Sequence, residues 1–351
     1  MADSVCQCLG NFTQHHFYVV LSTSLKDTMN EISDIVNVNV FQYDVKNNVK
    51  TLAFGRDQFL DHLVIEKHID AVLTIFGPSR WRPRVPHLCG FARSHLVLSD
   101  SPFLEDISLK EKFIYAIWKH YFKKSSNIFF TENSFISDRL PLVLGKKIQA
   151  FTVTNYYNQV FDQPEKWKRT CVLKQFDGIT SLTVTGNYPH KNLQIMAEIV
   201  RIYQKRKIDF KVRFVLTLTR EECPFVDDEI MEYFVFLGRI DITECPFLYK
   251  QSDIMFMPTL LECFTATYPE AMRMEVPIVT TDLGFAHSLC GNAACYYDAL
   301  DANAAADAII KVATDKSYAA QLIENGKKQL LSFDNYEQRA KKLIGILENI
   351  A

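Results

Sequence analysis

Two glutamates, Glu262 and Glu270, stand eight positions apart on either side of a short loop. The apolar runs 253–258 and 276–281 flank this loop and predict two buried strands. An ionised carboxylate accepts hydrogens from both hydroxyls of a diol, so two such acids are able to hold two separate sugars. Backbone amides at the start of the following helix are able to face a diphosphate. The residue types alone fit equally well with an alternative in which Glu262 caps a helix and Glu270 is a solvated helix residue.

Composition narrows the class of protein. Of the 351 residues, 48% are hydrophobic and 23% are charged, which is typical of a globular protein with two cores. The net charge of −2 gives no excess of positive charge, which argues against a nucleic-acid-binding protein. We find no apolar run of 18 residues and no leader, and nine dispersed cysteines predict reduced thiols in a cytoplasm. Neither a Cys-x2-Cys pair nor a Gly-x-Gly-x-x-Gly motif occurs, so we expect no metal and no resident dinucleotide.

Short β-branched and aromatic runs alternate with helical patterns along the whole chain, which predicts an α/β protein with parallel sheets. We expect two Rossmann-like domains that face each other across a cleft. In the second half, the pattern predicts a helix over 192–206 with one apolar face. In the first half, it predicts a strand over 95–99 and a helix that begins at Ser134 and is stopped by Pro141.

A polar stretch over 158–169 contains a proline and is the best candidate for a linker. The predicted organisation is an N-terminal domain over 1–163, a C-terminal domain over 164–333, and a final helix over 334–351 that packs back toward the first domain. The beginning is abrupt, because residues 16–22 resemble a second strand rather than a first. Either the first βα unit is abbreviated or the natural chain starts upstream of Met1.

The surroundings of the two glutamates resemble those of a known family. The matching segments are 185–193 (TGNYPHKNL), 238–239 (GR), 246–262 (PFLYKQSDIMFMPTLLE) and 269–282 (PEAMRMEVPIVTTD), continuing through 291–294 and 325–326. They resemble the donor domain of group 1 (family 4) retaining glycosyltransferases, which have the GT-B fold and a Glu-x7-Glu motif. The resemblance covers residues 180 to the end well, and the first half only weakly, over 126–140 and 153–155.

The resemblance implies a role for three charged residues. Glu262 matches the acid that contacts the transferred sugar, and Glu270 matches the acid that binds the donor ribose. Lys191 matches the lysine that neutralises the donor diphosphate. A lysine and a helix amino end at the diphosphate stabilise the transition state, because negative charge grows there as the glycosidic bond breaks. The family retains the anomeric configuration, and this arrangement requires no metal.

The chain also departs from the family pattern near the donor phosphates. Three residues stand where the family usually has Gly-Phe-Gly, namely Cys263, Phe264 and Thr265. Their side chains narrow the approach to the backbone amides, so the choice of donor is open. The usual arginine five residues before the lysine is replaced by Gly186, which Asn187 follows. We expect slower turnover, or compensation by His190 or by a residue from elsewhere in the chain.

The loop over 76–87 is the candidate acceptor site in the first half. Its basic residues are Arg80, Arg82 and Arg84, and they surround Trp81. A basic, aromatic loop suits a phosphate-bearing or carbohydrate acceptor. His87 lies near the position where family members often have a cleft histidine. An exposed basic loop with a structural histidine is an equally good interpretation.

The segment 110–124 mixes five lysines with five aromatic residues on one predicted helix. Such a helix is able to lie on an anionic membrane surface. The alternative is an internal helix in which Phe113, Ile117 and Tyr121 face the core and the lysines face solvent. The position of the helix in the middle of its domain slightly favours the internal alternative.

The sequence therefore predicts a retaining, metal-independent glycosyltransferase with a UDP- or GDP-linked sugar as co-substrate and no resident cofactor. The expected acceptor is a glycan or a lipid-linked glycan in the biosynthesis of cell-surface polysaccharide or lipopolysaccharide. The expected location is cytoplasmic, with possible peripheral contact at the inner membrane face. The alternatives are a catalytically weak or silent GT-B scaffold partner, and a sugar-phosphate epimerase or phosphorylase of the same fold.

Overall fold

The computed structural model describes residues 2–25, 32–46, 49–105, 107–208 and 211–351, of which residues 2–4 and 49 are described by their backbone alone. The chain divides into two compact units. The first unit consists of Met1–Val97, Ser108–Asn155 and Asp334–Ala351. The second consists of Leu98–Ile107 and Tyr156–Phe333. The chain therefore passes between the units near 155 and 333, and also around the short segment Leu98–Ile107.

The first unit has a two-stranded and a four-stranded sheet, both parallel. Its strands are β1 (Phe17–Leu21), β2 (Val38–Gln42), β3 (Val72–Thr74), β4 (His87–Gly90), β5 (Ile128–Thr131) and β6 (Gln149–Thr152). Its helices are Ala2–Gln7, Val49–Phe54, Gln58–Glu66, Leu109–Ser125, Ser134–Leu144 and Tyr336–Ile350. All four residues of β4 are buried, as expected for an inner strand of a parallel sheet that is covered on both faces.

Two predictions for this unit are wrong. Residues 95–99 are not a strand, because Ser94–Leu96 form a single 3-10 turn and the strand lies earlier, at β4. Pro141 does not end its helix, which continues to Leu144 and ends at Gly145. Gly145 has a φ of 131°, a conformation that side chains disfavour, so the stop lies at this glycine.

The final helix, Tyr336–Ile350, belongs to the first unit. It begins with a capping box in which Asn335 and Gln338 each bond the other's backbone amide. Arg339 is almost wholly buried and donates to the Glu132 carboxylate over 2.8 Å and to the Thr154 carbonyl over 2.9 Å. This pair joins the ends of β5 and β6 to a helix about 200 residues further along the chain.

We expect Arg339→Ala to lower the free energy of unfolding by about 3–5 kcal/mol, because Glu132 would be left as a buried charge without a partner. Urea denaturation followed by circular dichroism measures this loss. Arg201→Ala is the control, since Arg201 pairs with Asp227 at the surface over 2.5 Å and such pairs contribute about 1 kcal/mol or less. Equal losses in the two variants would contradict the prediction.

The second unit has one six-stranded parallel sheet in the order β12-β11-β10-β7-β8-β9. Its strands are β7 (Ile179–Thr183), β8 (Val212–Leu216), β9 (Phe234–Phe236), β10 (Ile254–Met257), β11 (Ile278–Thr281) and β12 (Ala294–Tyr297). Its helices are Ile195–Arg206, Cys245–Tyr249, Thr267–Arg273, Gly284–Cys290, Ala302–Thr314 and Lys316–Leu330. The predicted strands over 253–258 and 276–281 and the predicted helix over 192–206 are confirmed as β10, β11 and Ile195–Arg206. Two short helices, Cys245–Tyr249 and Gly284–Cys290, were missed.

The strand order of this sheet reverses between β7 and β10. From β7 the chain proceeds outward through β8 and β9, then returns to β10 and proceeds outward on the other side. In open parallel sheets, ligands bind beyond the carboxyl ends of the strands at such a switch point. The loops that follow β7 and β10 therefore meet at the expected place for a ligand, and these loops carry Lys191 and Glu262.

Candidate functional site

Lys191 lies at the end of the loop that follows β7. The 3-10 turn Pro189–Lys191 ends at Asn192, whose φ of 50° is left-handed. Asparagine tolerates this conformation better than most residues. The turn brings the Lys191 side chain inward, so that only 11% of it is exposed.

Glu262 lies on the loop that follows β10, and its carboxylate contacts the Lys191 ammonium. The two loops are also joined through the backbone, because the Leu260 amide donates to the His190 carbonyl over 2.8 Å. Thr259 donates its hydroxyl to the same Glu262 oxygen over 3.0 Å. Both charged side chains are about nine-tenths buried. The ion pair is therefore weakly screened by solvent and holds the two loops in register.

Glu270 lies on the helix Thr267–Arg273, eight residues further along. It is buried, and no lysine, arginine or histidine of the described chain forms an ion pair with it. Tyr249 donates its hydroxyl to one carboxylate oxygen of Glu270 over 3.1 Å. Burial raises the pKa of Glu270 to about 7, and the Tyr249 hydrogen bond opposes this shift. The site thus has one carboxylate with a cation and one without.

We expect Glu270→Gln to stabilise the protein at pH 8 more than at pH 5. The pKa of this carboxyl is 4.5 in the unfolded chain and about 7 in the folded one, so the folded state binds more protons and stability falls as pH rises between these values. The difference corresponds to about 3 kcal/mol, and the neutral amide avoids it. Thermal unfolding at both pH values measures the effect.

The control for this experiment is Glu229→Gln, which changes an exposed glutamate of the same unit. Its effect on stability should be small and equal at the two pH values. A Glu270→Gln variant that shows the same gain at pH 5 and pH 8 would mean that Glu270 does not titrate in this range.

The loop between the two acids is packed rather than open. Cys263 and Thr265 are buried, and Phe264 packs its ring edge-on against Phe333 with centroids 6.2 Å apart. The Thr265 hydroxyl lies 2.8 Å from that of Thr267, at the start of the helix that carries Glu270. The side chains that replace the usual glycines therefore have defined contacts of their own within the loop.

The loop after β7 contains no arginine that could replace the family arginine expected at position 186. Gly186 is exposed and close to Tyr188, whose ring would lie 2.9 Å from an added Cβ. Asn187 donates to the Glu222 carbonyl over 3.0 Å. Burial lowers the pKa of His190, an effect that Glu262 opposes and Lys191 reinforces. His190 is therefore neutral near pH 7, which argues against it as a substitute for the missing positive charge.

Two residues of the segment Leu98–Ile107 support this site and were not predicted from the sequence. Ser101 is buried and donates its hydroxyl to the Leu260 carbonyl over 2.6 Å. Phe103 lies edge-on to the His190 ring, with centroids 5.9 Å apart. Ser101 and Leu260 are 159 positions apart, and no motif in the sequence links them. Thr259 and Tyr249 were also missed, although both lie close to predicted strands.

In the first unit, the surroundings of His87 favour the interpretation as a structural histidine over the interpretation as an acceptor-binding residue. It is buried at the amino end of β4, whereas ligands bind beyond the carboxyl ends. Its Nδ1 donates to the Ser125 carbonyl over 2.9 Å, and its Nε2 accepts from the Thr74 hydroxyl over 2.8 Å. Burial also lowers its pKa. His87 is a neutral histidine that joins neighbouring segments of the sheet.

The basic loop over 76–87 does follow the carboxyl end of β3, but its tryptophan is not available to a ligand. Trp81 is buried and donates its indole N–H to Asp61 over 3.0 Å. Arg80 and Arg82 are half-buried, and Arg84 is exposed. A role for these three arginines in acceptor binding stays a prediction.

The sequence favoured an internal helix in which Phe113, Ile117 and Tyr121 face the core. The helix Leu109–Ser125 is arranged differently. Phe113 is 68% exposed and Ile117 is 40% exposed, so neither faces the core. The inner face instead contains Phe122, which is fully buried, with Trp118 and Tyr115 half-buried. Within the described residues, no helix is long and apolar enough to cross a membrane.

Comparison with protein families gives a match over residues 180–315, to the family described as "Glycosyl transferases group 1". This segment contains Lys191, Glu262 and Glu270. This segment is similar to group 1 glycosyltransferases. The resemblance predicted from the motifs is thereby confirmed. No curated protein sequence matches the chain.

Solved glycosyltransferase structures share the fold of nearly the whole chain. Sucrose-phosphate synthase from Thermosynechococcus elongatus has a TM-score of 0.67 and 13% identity, with 95% of this chain and 98% of that chain covered. HepE from Anabaena, in complex with UDP and glucose, has a TM-score of 0.65 and 13% identity, with coverage of 99% and 96%. A glycosyltransferase from Rickettsia africae has a TM-score of 0.66 and 14% identity, with coverage of 99% and 94%. The predicted GT-B fold class is confirmed.

Proposed function

We propose that this glycosyltransferase moves a sugar from a UDP- or GDP-linked donor to a glycan or glycolipid acceptor, with retention of configuration and without a metal ion. The observation that carries the proposal is the pairing of Lys191 with Glu262 at the switch point of the second sheet. Glu270 follows eight residues later and has no cationic partner among the described residues. The group 1 match and the UDP and glucose named for the HepE structure support a nucleotide-sugar donor.

In this proposal, the donor diphosphate binds to the Lys191 ammonium and replaces Glu262 as its partner. The freed Glu262 carboxylate then accepts hydroxyl hydrogens of the sugar, and Glu270 accepts those of the ribose. Negative charge grows on the diphosphate as the glycosidic bond breaks. Because Lys191 is largely buried, its charge stabilises this transition state more strongly than an exposed lysine would.

Retention of the anomeric configuration in this scheme needs no separate residue as general base. The acceptor hydroxyl attacks the face from which the diphosphate departs, and the diphosphate takes up its proton. The lowered pKa of His190, caused chiefly by burial, leaves this ring neutral near the leaving group. Lys191 is then the main source of positive charge at the diphosphate, so removal of its side chain should lower kcat strongly.

We expect the two glutamates to affect different kinetic parameters. Glu270→Ala should weaken nucleotide binding about tenfold or more, because a charged acceptor for the ribose hydroxyls is lost. Glu262→Ala should mainly lower kcat, by about 10²–10³, as should Lys191→Ala. Calorimetry with UDP and GDP and steady-state kinetics measure the two effects. An equal loss of both parameters in both glutamate variants would show that the roles are misassigned.

The same titrations separate the transferase from the alternatives. If UDP-sugars and GDP-sugars all fail to bind, the transferase proposal is wrong. Binding that leads only to slow hydrolysis, with unchanged affinity in Lys191→Ala, would favour a silent scaffold partner. Turnover of a sugar phosphate without any acceptor would favour an epimerase or phosphorylase of the same fold.

The exposed face of the helix Leu109–Ser125 supports peripheral contact with an anionic membrane. Leu109, Phe113 and Ile117 follow at four-residue steps and are 84%, 68% and 40% exposed. Five lysines accompany them, with Glu111 as the single acid of the helix. An apolar stripe surrounded by positive charge is typical of helices that lie in the membrane interface. A lipid-linked acceptor in the assembly of cell-surface polysaccharide or lipopolysaccharide at the inner membrane face would be consistent with this contact.

We expect the protein to bind vesicles that contain phosphatidylglycerol, and we expect added salt to weaken that binding. Replacement of Lys123 and Lys124 by glutamine should weaken it by about 1 kcal/mol for each charge, and Phe113→Ser should weaken it further by removing apolar contact. Vesicle sedimentation measures the bound fraction. Replacement of Lys146 and Lys147, which lie outside this helix, is the matched control. Absent or salt-insensitive binding would rule out the contact.

A further inference from the structure

A ladder of three side-chain pairs follows the carboxyl end of β4. Residues 91, 93 and 95, of which the last lies in the 3-10 turn Ser94–Leu96, contact the inner face of the helix Leu109–Ser125. The three pairs, with the distances between ring centroids or from guanidinium carbon to ring centroid, are Phe91 with Phe122 at 4.8 Å, Arg93 with Trp118 at 4.5 Å, and His95 with Tyr115 at 4.2 Å. Phe91 and Phe122 are buried in the core, Arg93 is exposed, and His95 and Tyr115 are half-buried.

Arg93 is the charged member of the ladder. Arg93 is exposed, and no carboxylate of the described residues forms a salt bridge with it. The one acid of the neighbouring helix, Glu111, accepts instead from the Ser108 amide and hydroxyl over 2.8 and 2.7 Å. The contact with the Trp118 ring restricts the position of the guanidinium. The planar edge of an arginine guanidinium matches the two oxygens of a phosphate or carboxylate.

Arg93 also lies at the edge of the sheet where parallel sheets commonly bind ligands. β4 is an inner strand of the four-stranded parallel sheet, with β3 and β5 on its two sides. Arg93 lies three residues beyond its carboxyl end, on the edge where parallel sheets bind ligands. The acceptor residues predicted from the sequence lie earlier, at His87 and in the loop over 76–87, and do not include Arg93.

We propose that Arg93, held on Trp118, binds the phosphate group of a phosphate-bearing acceptor. This inference rests on the proposed transferase function, since it assigns the acceptor of the same reaction. A surface arginine that only packs on an aromatic ring would bind charged and neutral acceptors equally. A guanidinium that binds the acceptor phosphate discriminates between them, because a charge-assisted bidentate pair is lost with the neutral compound.

The fluorescence of Trp118 tests the proposal without requiring turnover. The probes are a hexose 6-phosphate, the same hexose without phosphate, and monomeric short-chain phosphatidylglycerol. We expect a saturable change with at least one phosphate compound and none with the hexose, and Trp118→Phe should abolish the change. Arg93→Gln should weaken binding about tenfold to a hundredfold, the usual range for a charged hydrogen-bond pair. Arg93→Lys should restore part of it, since charge remains without the planar edge.

Lys147→Gln, which removes an exposed charge elsewhere in the first unit, is the control and should bind like the unmodified protein. Circular dichroism verifies that each variant is folded. A response to the hexose 6-phosphate alone identifies a soluble sugar phosphate as the source of the phosphate, and a response to the lipid alone identifies a headgroup. Equal responses to hexose and hexose 6-phosphate, no response to either phosphate compound, or unchanged binding in Arg93→Gln would each overturn the proposal.

Kinetics separate this inference from the proposed function. Failure to bind any nucleotide sugar would refute the transferase but not the phosphate site seen by fluorescence. If transfer occurs, Arg93→Gln should raise the acceptor KM about tenfold or more while leaving the nucleotide Kd and donor hydrolysis unchanged. A transferase whose acceptor KM is insensitive to Arg93→Gln would refute the phosphate site alone.

Discussion

The buried contact between Lys191 and Glu262 is the interaction on which the second unit's site depends. A lysine nine-tenths removed from water is expensive to keep charged unless an acid lies against it, and the acid has the same requirement. The loops after β7 and β10 therefore stabilise each other, supported by the bond from the Leu260 amide to the His190 carbonyl. Any anion that enters the site competes with Glu262 for Lys191, so ligand binding exchanges one ion pair for another rather than creating a charge in the interior.

Glu270 shows the opposite arrangement eight residues away. It accepts from a tyrosine hydroxyl, no cation of the described chain pairs with it, and burial moves its pKa into the neutral range. In the proposed function, the hydroxyls of the donor ribose are its further partners. The two acids of one motif thus differ in environment although they are chemically identical, because Glu262 follows a strand end that faces a lysine and Glu270 lies on a helix packed against Tyr249.

Much of the second unit was predictable because its signals are local. The strands are short apolar runs, the helix Ile195–Arg206 has a clear apolar face, and the spacing of the two glutamates is a family motif. The support from Ser101 was not predictable, because a serine 159 positions away has no pattern that connects it to Leu260. The first unit was harder for a physical reason. β4 has the sequence His-Leu-Cys-Gly, which contains neither a β-branched residue nor a Phe, Tyr or Trp to indicate a strand. The helix Leu109–Ser125 has aromatic residues on both faces, so periodicity alone does not identify the buried face.

The division of the chain into units has a consequence for its synthesis. The second unit takes its segment Leu98–Ile107 from the first half, and the first unit takes the helix Tyr336–Ile350 from the very end. Until that helix leaves the ribosome, Glu132 has no Arg339, and the surface that later covers Val5, Leu88 and Val153 is missing. The unit that is translated first is thus the last to be completed. Neither half can be cut out as a contiguous piece of sequence, and a ribosome that stops near residue 333 releases a chain whose second unit is whole and whose first is not.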